Sequence, residues 1–289
     1  MSRSSISIKQ ELTLRPLDQQ DHSRLVAFLQ GDTRIHRHLD WRPPIDWLGT
    51  HPFWSLEKGG KMQSVIAIPD DPPGIFWVRL FAYREGLDAS PLWKTLFEKA
   101  WEEIQNQETH IIGALAYEKW FGQLLKANGW VEYQRVVLLK FSGRAREPLN
   151  LSGDYLLRPM FTTDLLKVVE IDQICFEPLW QQSPDATRRA YEQSSYTTVV
   201  EFHNEVIGYQ FSTTASFNAH LARLAVLPEH RGKQIGSTLV QDMLYRFNQP
   251  LIKEITVNTQ QDNENSQKLY LRLEFEKTGD SFPIFVYSG

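Results

Sequence analysis

Two stretches of this sequence repeat one another at a nearly fixed distance, and that repeat limits the fold more than any other feature. Leu12-Thr13-Leu14-Arg15-Pro16-Leu17 alternates like a strand, and Asp18 and Asp21 precede an apolar-periodic helical run, Leu25, Val26, Phe28 and Leu29. Tyr155-Leu156-Leu157-Arg158-Pro159-Met160 does the same, and Asp164 precedes Leu165, Leu166, Val168, Val169 and Ile171. The two Arg-Pro pairs lie 143 residues apart (158 − 15). Residues 78–82 match 222–226 at an offset of 144 (222 − 78), and a helical pattern follows each, over 91–105 and 236–248. Residues 124–130 match 269–275 at 145 (269 − 124), and final strand patterns follow over 136–141 and 283–287. Offsets this steady predict two copies of one α/β domain, because coincidence between unrelated domains would not hold three of them together.

The length of 289 residues suits two domains at about 150 residues each. A Gly/Pro/Asn/Ser-rich stretch near 142–153 is the expected linker, so the predicted domains are 1–145 and 154–289. Residues 1–11 are polar and are expected to fray. Hydrophobic content of 42% is enough to bury a core without staples. The 1 Cys rules out an internal disulfide and suits a reducing compartment. No long apolar run predicts a membrane span, and the start, MSRSSISIKQ, lacks a signal-peptide core, so a cytoplasmic protein is expected. A net charge of −4 argues against a nucleic-acid partner, which would normally meet a basic face.

The chemistry concentrates in residues 222–247, ARLAVLPEHRGKQIGSTLVQDMLYRF. An apolar run, Leu224-Ala225-Val226-Leu227, is stopped by Pro228, which cannot donate to a strand ladder. A polar loop follows, and then Leu239, Val240, Met243, Leu244 and Phe247 mark one buried face of a helix that starts near Gly236. The first turn of a helix leaves backbone N–H groups without partners at its positive end. With a glycine for close approach and the charges of Arg231 and Lys233, such a loop suits a phosphate or pyrophosphate. An ordinary strand-loop-helix with solvated basic residues fits the loop alone equally well, and a P-loop pattern is absent.

The flanking residues resemble motif A of the GNAT (Gcn5-related) N-acetyltransferases. That family has an LAV-like strand end, a Pro, then Arg/Gln-x-x-Gly-x-Gly/Ala opening a helix. Arg231, Gly232, Lys233, Ile235 and Gly236 match, after Arg223-Leu224-Ala225-Val226, while Gln234 stands where the family has its middle glycine. Asn263-x-x-Ser266-x-x-Leu269-Tyr270 resembles motif B, Asn-x-x-Ala-x-x-Leu-Tyr. Glu274 replaces a helix-ending glycine, at a cost of about 1 kcal/mol for a left-handed non-glycine residue.

The resemblance implies two tandem domains of α/β (α+β) class, each a mixed, mostly antiparallel twisted sheet flanked by helices. It implies acetyl-CoA as co-substrate in the second copy. The pantetheine arm would lie beside Leu224, Ala225 and Val226, as an added strand at a splay of the sheet. The pyrophosphate would lie against Arg231, Gly232, Lys233, Gln234, Ile235, Gly236 and Ser237, with Asn263 also at the cofactor. Tyr270 would protonate the departing thiolate, a role suited to a neutral phenol. The segment 175–181 would line the acceptor site, with Phe176 and Trp180 as walls and Glu177 facing the amine; a hydrophobic loop closing the core is the plainer reading of those aromatics. Cys175 is expected to be buried rather than reactive. The first copy has Glu85 and Asp88 where phosphate would sit and Leu125 at the Tyr270 position, so it is expected to be degenerate and to help close the acceptor site.

The base is the open point. Asn258 stands where many of these enzymes have a Glu, which leaves Glu177, His220 or a water chain. Two readings remain: an N-acetyltransferase acting on an amine-bearing small molecule or peptide, and a non-catalytic acyl-CoA-binding protein that kept the fold. No metal, membrane or nucleic acid is expected, and the chain is expected to be a monomer or homodimer.

Overall fold

The computed structural model describes residues 12–107, 110–148, 151 and 153–289. The fraying expected of 1–11 lies outside the described residues. The chain divides into two compact units: one runs to Val131 and takes in Phe285–Gly289, and the other is Glu132–Ile284.

The first unit contains β1 (Leu12–Pro16), α1 (His22–Gln30), β2 (Thr33–Arg37), β3 (Phe53–Lys58), β4 (Lys61–Ala67), β5 (Ile75–Trp77), β6 (Leu80–Arg84), α2 (Ala89–Ile104), β7 (Ile111–Leu115) and α3 (Lys119–Ala127). Its five-stranded sheet runs β1-β3-β4-β6-β2 with every pairing antiparallel, and β5 pairs in parallel with β7. Phe76, Phe81, Trp93, Phe97, Phe121, Trp130 and Phe285 fill its main core.

The second unit holds β8 (Val131–Phe141) from Glu132 on, then β9 (Tyr155–Pro159), α4 (Leu165–Cys175), α5 (Pro184–Gln193), β10 (Tyr196–Phe202), β11 (Glu205–Ala215) and β12 (Asn218–Val226). It continues with α6 (Ile235–Phe247), β13 (Glu254–Gln260), α7 (Glu264–Arg272) and β14 (Phe275–Tyr287), the last of these as far as Ile284. The strand order is β14-β8-β13-β12-β11-β10-β9, with β12 and β13 parallel.

The repeat is real at the level of single side chains. Helices α3 and α7 are both nine residues long and start 145 apart (264 − 119). In the first copy Arg15 bonds Asp21 at 2.6 Å and lies 3.6 Å from Glu57. In the second, Arg158 bonds Asp164 at 2.7 Å and Glu201 at 2.5 Å. Each Asp also accepts a backbone N–H three residues upstream, Asp18 at 3.2 Å and Phe161 at 2.7 Å, which ties the strand end to the helix that follows. The expected hairpin between β10 and β11 is present, with His203 and Asn204 both at positive φ, 50° and 66°.

The unit boundaries differ from those expected at 145 and 154. The strand assigned to the end of the first copy packs in the second unit, where Val137 and Leu139 join Val257, Tyr270 and Phe275 in one core. Phe285, at the end of the second copy, joins the core of the first unit. Both strands carry a short continuous apolar run, 136–139 in one and 284–287 in the other, and such a run marks a buried strand without naming its partner.

Candidate functional site

Strand β12 is well paired on one side only. It pairs in parallel with β13 from Asn218↔Glu254 to Leu221↔Val257, although β12 runs on to Val226 and β13 to Gln260. Against β11 its register jumps, with Phe211 opposite Arg223 and Ser212 opposite Leu221, so Ala222 is an extra residue. Such a bulge bends a strand and opens its ladder. It turns residues 223–226 away from β13 and produces the splay expected from the sequence. Leu227 donates its N–H to Ile207 of β11 at 2.9 Å. By alternation, Ala225 and Arg223 face β11, while the backbone of Leu224 and Val226 faces the gap.

The loop beyond β12 is shaped by two residues with positive φ, Gly232 at 77° and Gln234 at 64°. The left-handed turn at Gln234 explains why a glycine is the usual choice there. The Gln234 side chain is exposed, and Arg231, Gly232 and Lys233 are exposed with it. Among the described residues no side chain caps α6, so its first N–H groups remain available. Arg231 donates Nε to the Val226 carbonyl at 3.0 Å, folding the loop back on the strand end. A Cβ built on Gly236 would sit 3.4 Å from Leu269 of α7, so the start of α6 lies against α7. Strand end, loop, α6 and α7 thus converge.

Tyr270 lies on α7, 4% exposed, in a core with Val240, Met243, Val257 and Phe275. Burial pushes its hydroxyl pKa up, so the phenol keeps its proton at neutral pH. Asn263 caps α7 by accepting the N–H of Ser266 at 3.1 Å. The helix ends on Glu274 at φ 65°, as its replacement of a glycine predicts. The strained residue has been accommodated. Its carbonyl accepts from Ser142, its carboxylate accepts from the Arg144 N–H and from Arg146, and a Cβ on Gly143 would come within 2.0 Å of it.

The segment 176–182 is pinned by a buried network absent from the sequence expectations. Asp172 is fully buried and accepts from Tyr209 at 2.5 Å, from Arg223 Nε at 2.7 Å and from the Gln182 N–H at 2.8 Å. Arg223 also donates to the Trp180 carbonyl at 2.6 Å and lies 3.7 Å above the Phe176 ring. Burial, then the charge of Asp172, pushes the Tyr209 hydroxyl pKa well up. The available signal was an acid on the apolar face of the α4 pattern and an arginine inside an apolar strand; buried charges need partners.

From the other side the segment meets β8. Tyr133 donates to Glu177 at 3.4 Å, Trp180 Nε1 donates to Gln134 at 3.0 Å, and Gln134 donates to both oxygens of Asp262 at 2.9 Å. The site residues expected on β12, the loop, α6 and α7 therefore come together, and Glu177 sits beside a strand that had been assigned elsewhere. His220 bonds Thr256 at 2.8 Å in the paired part of β12, and burial lowers its pKa, so it is neutral and structurally engaged. Asn258 pairs opposite Leu138. Cys175 is half-buried, bonds the Val226 carbonyl at 3.4 Å, and has its thiol pKa raised by burial.

Residues 165–275 match the model of the acetyltransferase (GNAT) family. No curated protein matches the sequence. Among solved structures, a tandem GNAT protein from the clavulanic acid biosynthesis pathway superimposes with a TM-score of 0.63 at 15% identity, covering 96% of this chain and 98% of its own. A GCN5-related N-acetyltransferase from Sphaerobacter thermophilus gives 0.61 at 11% identity, covering 96% and 95%. One from Kribbella flavida gives 0.66 at 11% identity, covering 98% and 72%. At these identities the structures establish a shared fold.

Proposed function

The chain carries a GNAT-family domain over residues 165–275 in a tandem fold, and from that premise we propose that its second repeat transfers an acetyl group from acetyl-CoA directly to an amine. The observation that carries the reading is the unpaired edge of β12 next to an α6 start without a side-chain cap. The Leu224 backbone and the Val226 N–H offer an extended ligand hydrogen bonds of a missing strand, while the Val226 carbonyl is held by Arg231 and Cys175. The first-turn N–H groups of α6, with Arg231 and Lys233 and the backbone of Gly232, Gln234, Gly236 and Ser237, receive a pyrophosphate. Leu224, half-buried, supplies apolar surface beside it, while Ala225 and Ile235 are buried and anchor the strand end and the helix start. Asn263 keeps α7, and so Tyr270, in place.

Acetyl-CoA, when bound, supplies the activated acyl group. The chain's part is to align the amine with it, since orientation alone accounts for much of the rate. A backbone N–H near Val226 polarises the acyl oxygen. Tyr270, held protonated, delivers a proton to the departing sulfur. Glu177, exposed at the acceptor segment, takes the proton from the amine directly or through water. The acceptor is an amine-bearing small molecule or peptide. The lone cysteine fits a cytoplasmic setting, and no described helix is long and apolar enough to cross a membrane.

A second reading, acyl-CoA binding without turnover, is favoured by Asn258 in the usual base position and by His220 being engaged with Thr256. One experiment separates the two. Purified protein is screened with acetyl-CoA against a diamine, an aminoglycoside, an amino-acid amide and a short peptide, with thiol release as readout. Release that depends on one amine class supports transfer; saturable acetyl-CoA binding with no release across the panel supports the second reading.

A further inference from the structure

We propose that Gln134 and Tyr133, at the start of β8, are positioning residues of the acceptor site, so that the last strand of the first repeat helps to select the amine used by the second. This rests on the acetyl-transfer reading.

The placement follows from strand direction. β12 and β13 are parallel, so their C-terminal ends lie at the same end of the sheet, where the splay opens. β8 is antiparallel to β13, and their register ends at Val136 opposite Gln260. Tyr133 and Gln134 therefore overhang β13 at the open end.

Each residue holds a different part of the acceptor segment. The Gln134 amide is two-sided: its oxygen accepts from Trp180 Nε1 at 3.0 Å while its nitrogen donates to Asp262 at 2.9 Å. Turning that amide over would set donor against donor and acceptor against carboxylate, so a single orientation satisfies both partners. Through it the acceptor segment is joined to the loop that starts α7, the helix carrying Tyr270. Tyr133 donates to Glu177 at 3.4 Å and fixes the side on which that carboxylate stands. The neighbouring charges on β8 are satisfied separately, since Arg135 bonds Glu132 at 2.6 Å and also Ser281. Trp180 is held from within by Arg223 and from without by Gln134, and this sets its ring as a wall.

These contacts contribute little to stability. Tyr133 is 53% exposed, and Glu177 and Asp262 are exposed as well. Hydrogen bonds between exposed side chains add little to folding, because each replaces a bond to water. Their effect lies in where Glu177 and Trp180 stand.

The test uses full-length protein and the variants Gln134→Met and Tyr133→Phe, which keep size and ring. Acceptor KM and kcat are measured with the amine found in the thiol-release screen, together with acetyl-CoA Kd, Tm and the Trp180 indole N–H resonance. Gln134→Met should raise acceptor KM about tenfold, equal to about 1.4 kcal/mol. It should shift the Trp180 resonance, leave acetyl-CoA Kd within about twofold and move Tm by less than about 2 °C. Tyr133→Phe should act mainly on kcat, through Glu177. Turnover by the wild type with acceptor KM and kcat unchanged within about twofold in both variants overturns the proposal and leaves acetyl transfer standing. If acetyl-CoA binds and no amine releases thiol, the transfer reading fails, and the same amines are titrated against the Trp180 resonance. A shift in the wild type that Gln134→Met abolishes still supports the site; no shift in the wild type overturns it.

Discussion

The two copies keep the same scaffold and use one corresponding segment in opposite ways. In the second copy the β12–β13 ladder ends at Leu221↔Val257, and residues 223–226 have no partner strand on that side. In the first, β5 and β7 pair from Ile75↔Ile111, the same register 143 residues earlier (218 − 75), and the chain then also leaves its parallel partner. There the freed strand, β6, is covered by β2 along Thr33↔Arg84 to Arg37↔Leu80. Shifting 33–37 by 143 gives 176–180, the acceptor segment of the second copy, which forms a short 3-10 turn instead of a strand. A segment that fills the edge in one copy is, in the other, a turn held by Arg223 and Gln134. The helix starts differ in the same sense: Asp88 caps α2 by accepting from Ser90 at 3.0 Å, whereas α6 has no side-chain cap among the described residues. In the first copy the strand edge is paired by β2 and the helix start is capped by Asp88, two groups that the second copy leaves without such partners among the described residues.

The largest expected effect tests Tyr270 against its counterpart Leu125. Tyr270→Phe keeps the ring and should lower kcat by about 10²–10⁴-fold, as expected for a positioned acid. Acetyl-CoA Kd should change by less than about threefold, under 1 kcal/mol. A Phe variant with full kcat and reduced thermal stability would mark Tyr270 as a core residue only. The reciprocal change, Leu125→Tyr, should add no activity while β2 covers β6.

Next in size is the helix end. Gly129 occupies a left-handed position at φ 82° in the first copy, and Glu274 does so at φ 65° in the second. Because Glu274 lies against Gly143, Gly143→Ala should cost about 2–3 kcal/mol in the native background, by overpacking. In the Glu274→Gly background the same change should cost less than about 1 kcal/mol, giving a large coupling in a double-mutant cycle. Additive costs would show that the two positions are independent.

The smallest effect tests the shared scaffold. The hydrogen bond from Arg158 holds the Asp164 carboxyl below the usual carboxylate range. A depressed folded-state pKa contributes stability above the unfolded value, lost as pH falls through the folded one. Asp164→Asn should therefore lower stability at pH 7 by about 1–2 kcal/mol, with the gap to wild type narrowing only as pH falls below the ordinary carboxylate range and through the depressed folded value. Asp21→Asn, in the first copy, should behave alike despite the opposing effect of burial on Asp21. A difference that grows on acidification would contradict the assignment.

Sequence periodicity carried the two copies, the helices that follow 82 and 226, and the loop, but none of the strands between 33 and 77. The Arg-Pro pairs, the loop glycines and the helix N-caps are local signals, read at spacings of one turn or one strand. Partner choice is not local. β8 and the end of β14 carry interchangeable continuous apolar runs, so the sequence pattern allows each to be placed in its own copy. The segment 33–37 becoming a strand, while 176–180 turns, depends on Arg223 and Asp172 gripping the latter through side chains 51 residues apart (223 − 172). Gln134 and Tyr133 were invisible for the same reason, since their partners lie at 177, 180 and 262.

The central claim is that the open edge and uncapped helix of the second copy bind acetyl-CoA and the covered edge of the first does not. Isothermal titration of full-length protein with acetyl-CoA, repeated on Arg231→Glu, tests it most directly. One site per chain is expected, with a loss of about 100-fold or more in affinity when a negative charge faces the pyrophosphate. Two sites per chain, or a single site unmoved by Arg231→Glu, would contradict it.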